Sequence, residues 1–175
     1  GRWDEAGALL ASDAVRLQDA GADLIVLCTN TMHVVAPAIE AAITVPFIHL
    51  ADTTADAVQR AGVHTVALLG TRYTMEETFY RGRLESHGLG VIVPEEPDRT
   101  VVHDVIYNEL VQGVINPESK ARYLDVIAGL VDRGAKGIVA GCTEIELLIS
   151  PDDLDVAYFP TARLHAEAAV AAALA

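Results

Sequence analysis

A chain of 175 residues, half of them apolar (51%), is long enough to bury a core, and its formal net charge of −13 argues against nucleic acid or an anionic membrane as partner. Its two cysteines, Cys28 and Cys142, make neither a CxxC pair nor a disulfide scaffold, so a reducing, cytoplasmic compartment is expected. No stretch approaches the roughly 18–20 consecutive apolar residues of a membrane-spanning helix.

Taken in chain order, helix-like periodicity runs from about Asp4 to Ala20, and Gly21 stops it before an apolar strand, Leu24 to Cys28. A second helix is expected from near Thr31 to about Ala42, then a short buried strand at Pro46-Phe47-Ile48-His49. Asp52 or Thr53 is expected to cap a helix that reaches Ala61 and ends at Gly62. Thr65 to Leu69 reads as a strongly apolar strand with a polar exit, Gly70-Thr71-Arg72-Tyr73-Thr74. A helix from about Met75 to His87 leads to the strand Gly90 to Val93 and a loop, Pro94 to Asp98. Two helices follow, about Val101 to Gln112 and Glu118 to Arg133. The remainder reads as a strand at Ile138 to Gly141, a short helix at Glu144 to Leu148, a strand at Asp155 to Phe159 and a closing helix, Ala162 to Leu174. Strands alternating with helices imply a mostly parallel α/β architecture.

One unit occurs twice. Gly21-Ala22-Asp23-Leu24-Ile25-Val26-Leu27-Cys28-Thr29-Asn30 is echoed by Gly134-Ala135-Lys136-Gly137-Ile138-Val139-Ala140-Gly141-Cys142-Thr143. Each copy reads as a glycine helix stop, a buried strand and a polar turn at the strand's carboxyl end, where parallel α/β sheets bind ligands. Laid ungapped, the copies put Thr29 opposite Cys142 and Cys28 opposite Gly141. Strand alternation then points Thr29 into the crevice and Cys28 into the core. Cys142, between Gly141 and Thr143 and just before a helix, is expected to feel the positive end of the helix dipole, which favours thiolate. Asn30 and Thr31 suit either helix capping or ligand contact, and Glu144 either capping or pairing with an amino group.

Several chemistries lack support. There is no GxGxxG, no Walker-type phosphate loop and no GxSxG elbow, and six histidines (33, 49, 64, 87, 103 and 165) show no HExxH or comparable spacing. Neither a nucleotide cofactor nor a metal is therefore expected. His33 and His165 read as structural residues, and Arg72 as a surface arginine that could meet an acidic side chain.

Cys28-Thr29-Asn30-Thr31-Met32-His33 and Gly141-Cys142-Thr143-Glu144-Ile145 resemble the paired signatures of the aspartate/glutamate racemase superfamily. The exit Gly70-Thr71-Arg72-Tyr73-Thr74-Met75 and the closing His165-Ala166-Glu167 are similar to those of its broad-specificity or L-Asp/Glu-type amino-acid racemases. The resemblance runs over essentially the whole chain. It implies two pseudo-symmetric parallel-sheet α/β subdomains with the active site in the cleft between them, residues 1–51 plus 160–175 forming one and 52–159 the other. It also implies a racemase that uses no cofactor and no metal and interconverts L and D enantiomers of aspartate- or glutamate-like amino acids by two-base proton transfer at Cα. Thr29 and Cys142 would be catalytic; Asn30, Thr31, Thr143 and Glu144 would bind substrate. A small-molecule amino acid would be the partner, with no nucleic acid and no membrane, and a homodimer is allowed.

The chain departs from the pattern in three places. The family usually has cysteine directly before the Asn-Thr pair, where this chain has Thr29, so it resembles a subgroup using a Thr/Cys pair. A glycine-rich strand-turn that opens family members has no counterpart before the first helix, so the first subdomain is expected to lack its N-terminal strand-turn-helix segment. Pro160 stands before Thr161 where the family often has aspartate. Two other readings stay open: a related isomerase or decarboxylase of the hydantoin racemase or arylmalonate decarboxylase type, and a ligand-binding or degenerate member without turnover.

Overall fold

The computed structural model describes residues 1–175. Nine α-helices and six strands alternate along it. Helix α1 (Trp3–Asp19) precedes β1 (Ile25–Val26), and a one-turn 3-10 helix, Thr31–Val35, runs into α2 (Ala36–Ala42) and β2 (Phe47–Ile48). Next come α3 (Leu50–Arg60), β3 (Thr65–Leu69), α4 (Arg72–Glu76), α5 (Thr78–Ser86) and β4 (Gly90–Ile92). Helices α6 (Asp98–Asn108) and α7 (Pro117–Asp132) lead to β5 (Gly137–Ala140), α8 (Ile145–Leu148), β6 (Ala157–Pro160) and α9 (Thr161–Ala173).

The expected α/β class holds, with every strand pairing parallel. β1 pairs with β2 in a two-stranded sheet, and the other strands form a four-stranded sheet of order β4-β3-β5-β6. The repeat has a concrete structural basis. Gly21 and Gly134 adopt φ of +96° and +105°, a left-handed region open to glycine. Each is followed by an N–H that donates five residues back, Ala22 to Leu17 O and Ala135 to Leu130 O, closing the same helix stop in both copies.

The main sheet is buried on both faces, as the apolar runs require. Ala67, Leu69, Ile138 and Ala140 face α6 and α7 through Val102, Ile106, Tyr123, Ile127 and Leu130. Val66, Leu68, Val139 and Phe159, at the alternate positions, face α3 and α5 through Leu50, Val58, Tyr80 and Leu84. The smaller sheet has a modest core of its own: Ala14, Ile25, Ile39 and Ile43.

Three local expectations need correction. The strand expected over Leu24 to Cys28 ends at Val26, because Thr29 N–H turns back onto Leu27 O at 2.8 Å and the pleat lapses before Cys28. Helix α3 is capped by the His49 ring, which accepts from Ala51 N–H, and not by Asp52 or Thr53. Asp52 instead lies in the first turn and takes a two-pronged pair from Arg83 at 2.6 and 2.7 Å, with His87 at 2.9 Å. The helix expected from Met75 to His87 breaks in two at Glu77, whose backbone is extended.

Candidate active site

The first signature leaves β1 and turns at Thr29. What holds that turn is His33. Its Nδ1 lies 2.7 Å from Thr29 O and its Nε2 3.2 Å from Leu50 N–H, which fixes the tautomer: Nδ1–H donates to the carbonyl and Nε2 accepts. One neutral ring thus ties the Thr29 turn to the start of α3. His49 stacks edge-on at 4.6 Å between ring centres, and His165 of α9 lies 5.8 Å from His33 and donates Nε2–H to Ile48 O at 2.6 Å. Burial, the dominant cause, pulls His33 down to about 4 and His49 to about 3; the neighbouring rings add to it. His33 and His49 are therefore neutral at physiological pH and bonded to backbone.

The second signature leaves β5 under a tighter constraint. A Cβ on Gly141 would sit 2.8 Å from Leu69 O and 2.9 Å from Leu68 Cδ1, so only glycine lets this exit press against the end of β3. Its own N–H donates to Leu69 O at 2.7 Å. Beyond it, Cys142 packs against the main core, and its Sγ–H donates to Glu144 Oε2 at 2.8 Å. Thr143 Oγ1 donates to the same oxygen, also at 2.8 Å.

This arrangement overturns the expected thiolate. Helix α8, the source of the expected dipole, is a single turn of four residues. Burial first, and the Glu144 carboxylate second, push the Cys142 thiol up to about 12. Burial also raises the Glu144 carboxyl, but the hydrogen bonds from Cys142 and Thr143 outweigh it and leave the group below its ordinary range. The resting pair is a thiol donating to a carboxylate.

The signatures meet at Thr161, the first residue of α9. Its hydroxyl donates to Ala140 O at 2.7 Å, and Asn30 Oδ1 lies 3.3 Å away. Thr161 is fully buried and Asn30 nearly so. With Oδ1 turned to that hydroxyl, Asn30 Nδ2 remains as a donor. The family pattern marked Thr161 only as the threonine after Pro160 and gave it no site role; a threonine opening a helix after a strand was a further signal available for it.

A cavity of about 120 Å³ lies where they meet. Cys28, Thr29 and Asn30 line it from one side, Thr143 from another, with Ala162 and His165 of α9 closing it. It is smaller than the roughly 300–1,000 Å³ of drug-sized sites, which suits a ligand of amino-acid size. Of the sequence-derived site residues, Thr29, Asn30 and Thr143 share this lining. Cys142, Glu144 and Thr31 are not among the lining residues: Cys142 and Glu144 sit behind Thr143, joined to it through the Glu144 Oε2 that Cys142 Sγ and Thr143 Oγ1 both bond, and Thr31 opens the adjoining 3-10 helix. Cys28 contradicts its expected core placement: it is exposed and lines the cavity, because the two-residue strand ends before its alternation reaches position 28. Arg72 is held by Glu96 at 3.0 Å, Glu76 at 3.3 Å and Thr100 at 3.1 Å, away from the cavity lining. No three His, Cys, Asp or Glu side chains group as a metal site would require, and no helix is long and apolar enough to cross a membrane.

The family description Asp/Glu/Hydantoin racemase matches residues 1–169. The chain belongs to that family. A Yersinia pestis crystal structure assigned to the Asp/Glu racemases is 49% identical, with a TM-score of 0.96 over all of this chain and 76% of the other. An aspartate racemase homologue from Pyrococcus horikoshii OT3 is 31% identical, with a TM-score of 0.92 over 99% of this chain and 76% of that one. The broad-specificity amino-acid racemase RacX of Bacillus subtilis strain 168 is 24% identical, over 98% of this chain and 74% of RacX. Family membership supports the isomerase class and the amino-acid substrate that the two signatures implied.

Proposed function

We propose that the protein is a cofactor-independent racemase that interconverts L and D enantiomers of aspartate- or glutamate-like amino acids. Thr29 and Cys142 are the two groups that exchange a proton with Cα on opposite faces. The observation that carries this reading is the shared cavity: residues from both halves of the repeat, Thr29 with Asn30 and Thr143, line one space of amino-acid size.

Without a cofactor to absorb electrons, deprotonation at Cα needs donors around the substrate carboxylate, where negative charge grows in the transition state. Asn30 Nδ2 and the backbone N–H groups of the Thr31 turn fit that task, and Glu144 Oε1 fits the substrate's ammonium. A threonine hydroxyl can hand over a proton but abstracts one poorly, so Cys142 is the group that takes the proton, from the L enantiomer. Because the enantiomers equilibrate one to one, kcat/KM is equal in both directions, and the asymmetry falls on kcat and KM individually. Residues 1–51 plus 160–175 and residues 52–159 form the two facing units in this reading, supported by the separate pairing of β1 with β2. A cytoplasmic protein, allowing a homodimer and free of nucleic-acid or membrane partners, belongs to the same reading, supported by the net charge of −13.

Chiral chromatography of L-aspartate and L-glutamate incubated with the protein, with no pyridoxal phosphate added, tests the proposal. Appearance of the D enantiomers is the expected result; their absence with both substrates contradicts it. The protonated state of Cys142 favours one second reading, a family member that keeps the cleft without turnover, and the same chromatograms separate the two.

A further inference from the structure

A thiol held at about 12 is ionised to only on the order of 10⁻⁵ at pH 7, so a free thiolate is a poor description of the base at position 142. The geometry beside it offers another route. Glu144 Oε2 accepts from Cys142 Sγ at 2.8 Å and from Thr143 Oγ1 at 2.8 Å. Tyr123, the other titratable side chain that faces the thiol, donates its hydroxyl to Val102 O and is kept neutral by burial. Glu144 is therefore the one anionic acceptor in contact with the sulfur.

We propose that Cys142 and Glu144 act as one proton-transfer pair, the carboxylate taking the thiol proton as the sulfur takes the proton from Cα. The inference rests on the racemase reading and adds a second catalytic group to it. As Sγ accepts the Cα proton, its own proton passes to Oε2 along the existing hydrogen bond. The C–H electron pair stays on the substrate and spreads into its carboxyl group. The Thr29 hydroxyl then protonates the opposite face of Cα. At that point Cys142 is again a thiol, Glu144 is a carboxylic acid and Thr29 is an alkoxide. The acid returns its proton to Thr29 through the Thr143 hydroxyl and solvent water that enters the cavity Thr143 and Thr29 both line, which restores every group. No thiolate accumulates, and between turnovers the sulfur stays a thiol that electrophiles attack slowly.

Two readouts on the whole protein test the pair: iodoacetamide alkylation of Cys142 against pH, resolved from Cys28 by peptide mass, and Cα deuterium exchange of L-aspartate and L-glutamate in D2O. Glu144→Gln removes the charge that opposes ionisation, so alkylation at pH 8.5 should rise about tenfold. The same change removes the proton acceptor, so exchange should fall by roughly 10²–10⁴. Glu144→Asp, which keeps a carboxylate, should recover part of the exchange. A merely structural role moves both readouts down together. Exchange at the wild-type rate in Glu144→Gln, or alkylation that does not rise, overturns the pair. A wild-type protein that exchanges no amino acid refutes the racemase reading instead, and the alkylation profiles alone then decide whether the pair exists.

Discussion

Gly141→Ala is the sharpest structural perturbation available, because its consequence can be worked from contacts. The added methyl would stand 2.8 Å from Leu69 O, 2.9 Å from Leu68 Cδ1 and 3.1 Å from Thr74 Cγ2. The first of these is backbone at the end of β3, an inner strand of the main sheet, and cannot swing aside. Overpacking of this kind costs about 1–3 kcal/mol, and weakening the 2.7 Å bond from Gly141 N–H to Leu69 O adds about 0.5–1.5 kcal/mol. The total, about 2–4 kcal/mol, lowers Tm by roughly 5–15 °C in a chain of this size. The exit carrying Cys142 must also move, and a displacement on the order of 1 Å at a reacting group can cost about 10²-fold in rate. Gly129→Ala is the matched control: nothing lies within 4 Å of the added carbon, inside helix α7, so it should raise stability by about 0.5–1 kcal/mol. Thermal unfolding of both variants by circular dichroism, with activity measured below the transition, checks the reasoning. A Gly141→Ala protein that melts within 2 °C of the wild type refutes the claim that the β5 exit admits only glycine.

Other outcomes follow from the same structure. His33 and His49 bind protons near pH 6.5 when unfolded but only near 4 and 3 when folded, so stability should fall as pH drops below about 6.5 and stop falling on their account below those values. Denaturant titrations at pH 7, 5.5 and 4.5 read that slope, and it should flatten in His33→Gln. Asp52 works lower: burial opposes its ionisation but Arg83 and His87 prevail and hold it at about 2, so its contribution is present above about pH 4 and lost as pH falls through 2. Thr161→Val leaves Ala140 O without its buried donor and should cost about 1–3 kcal/mol by denaturant unfolding. Cys28→Ala should change stability by no more than about 0.5 kcal/mol, because the side chain is exposed. Thr29→Cys should bring the kcat values for the two enantiomers closer together, as read by circular dichroism of the substrates.

The sequence announced most of the fold through its punctuation. Gly21 and Gly134 end helices by the same hydrogen bond, so the repeat was visible as spacing before any contact was known. Strand identity in the main sheet was equally legible, because β3 and β5 are buried on both faces and read as continuous apolar runs. What escaped depends on groups distant in sequence or on backbone that leaves its regular path. Alternation placed Cys28 in the core because it presumed a strand that in fact stops at Val26. The ionisation of Cys142 turned first on its burial against the main core and second on Glu144 folding back to accept its proton, and a one-turn helix could not oppose either. Thr161 contacts Asn30 across 131 positions, and nothing local marks such a partner.

The central claim is that this chain moves a proton on and off an amino-acid Cα using Cys142. Wild-type protein and Cys142→Ser incubated in D2O with L-aspartate and L-glutamate, and followed by proton NMR, test it most directly. The account predicts loss of the Cα proton signal with the wild type and a fall of orders of magnitude in that rate with Cys142→Ser, at unchanged circular dichroism. Near-equal exchange by the two proteins, or none by the wild type with either amino acid, would contradict it.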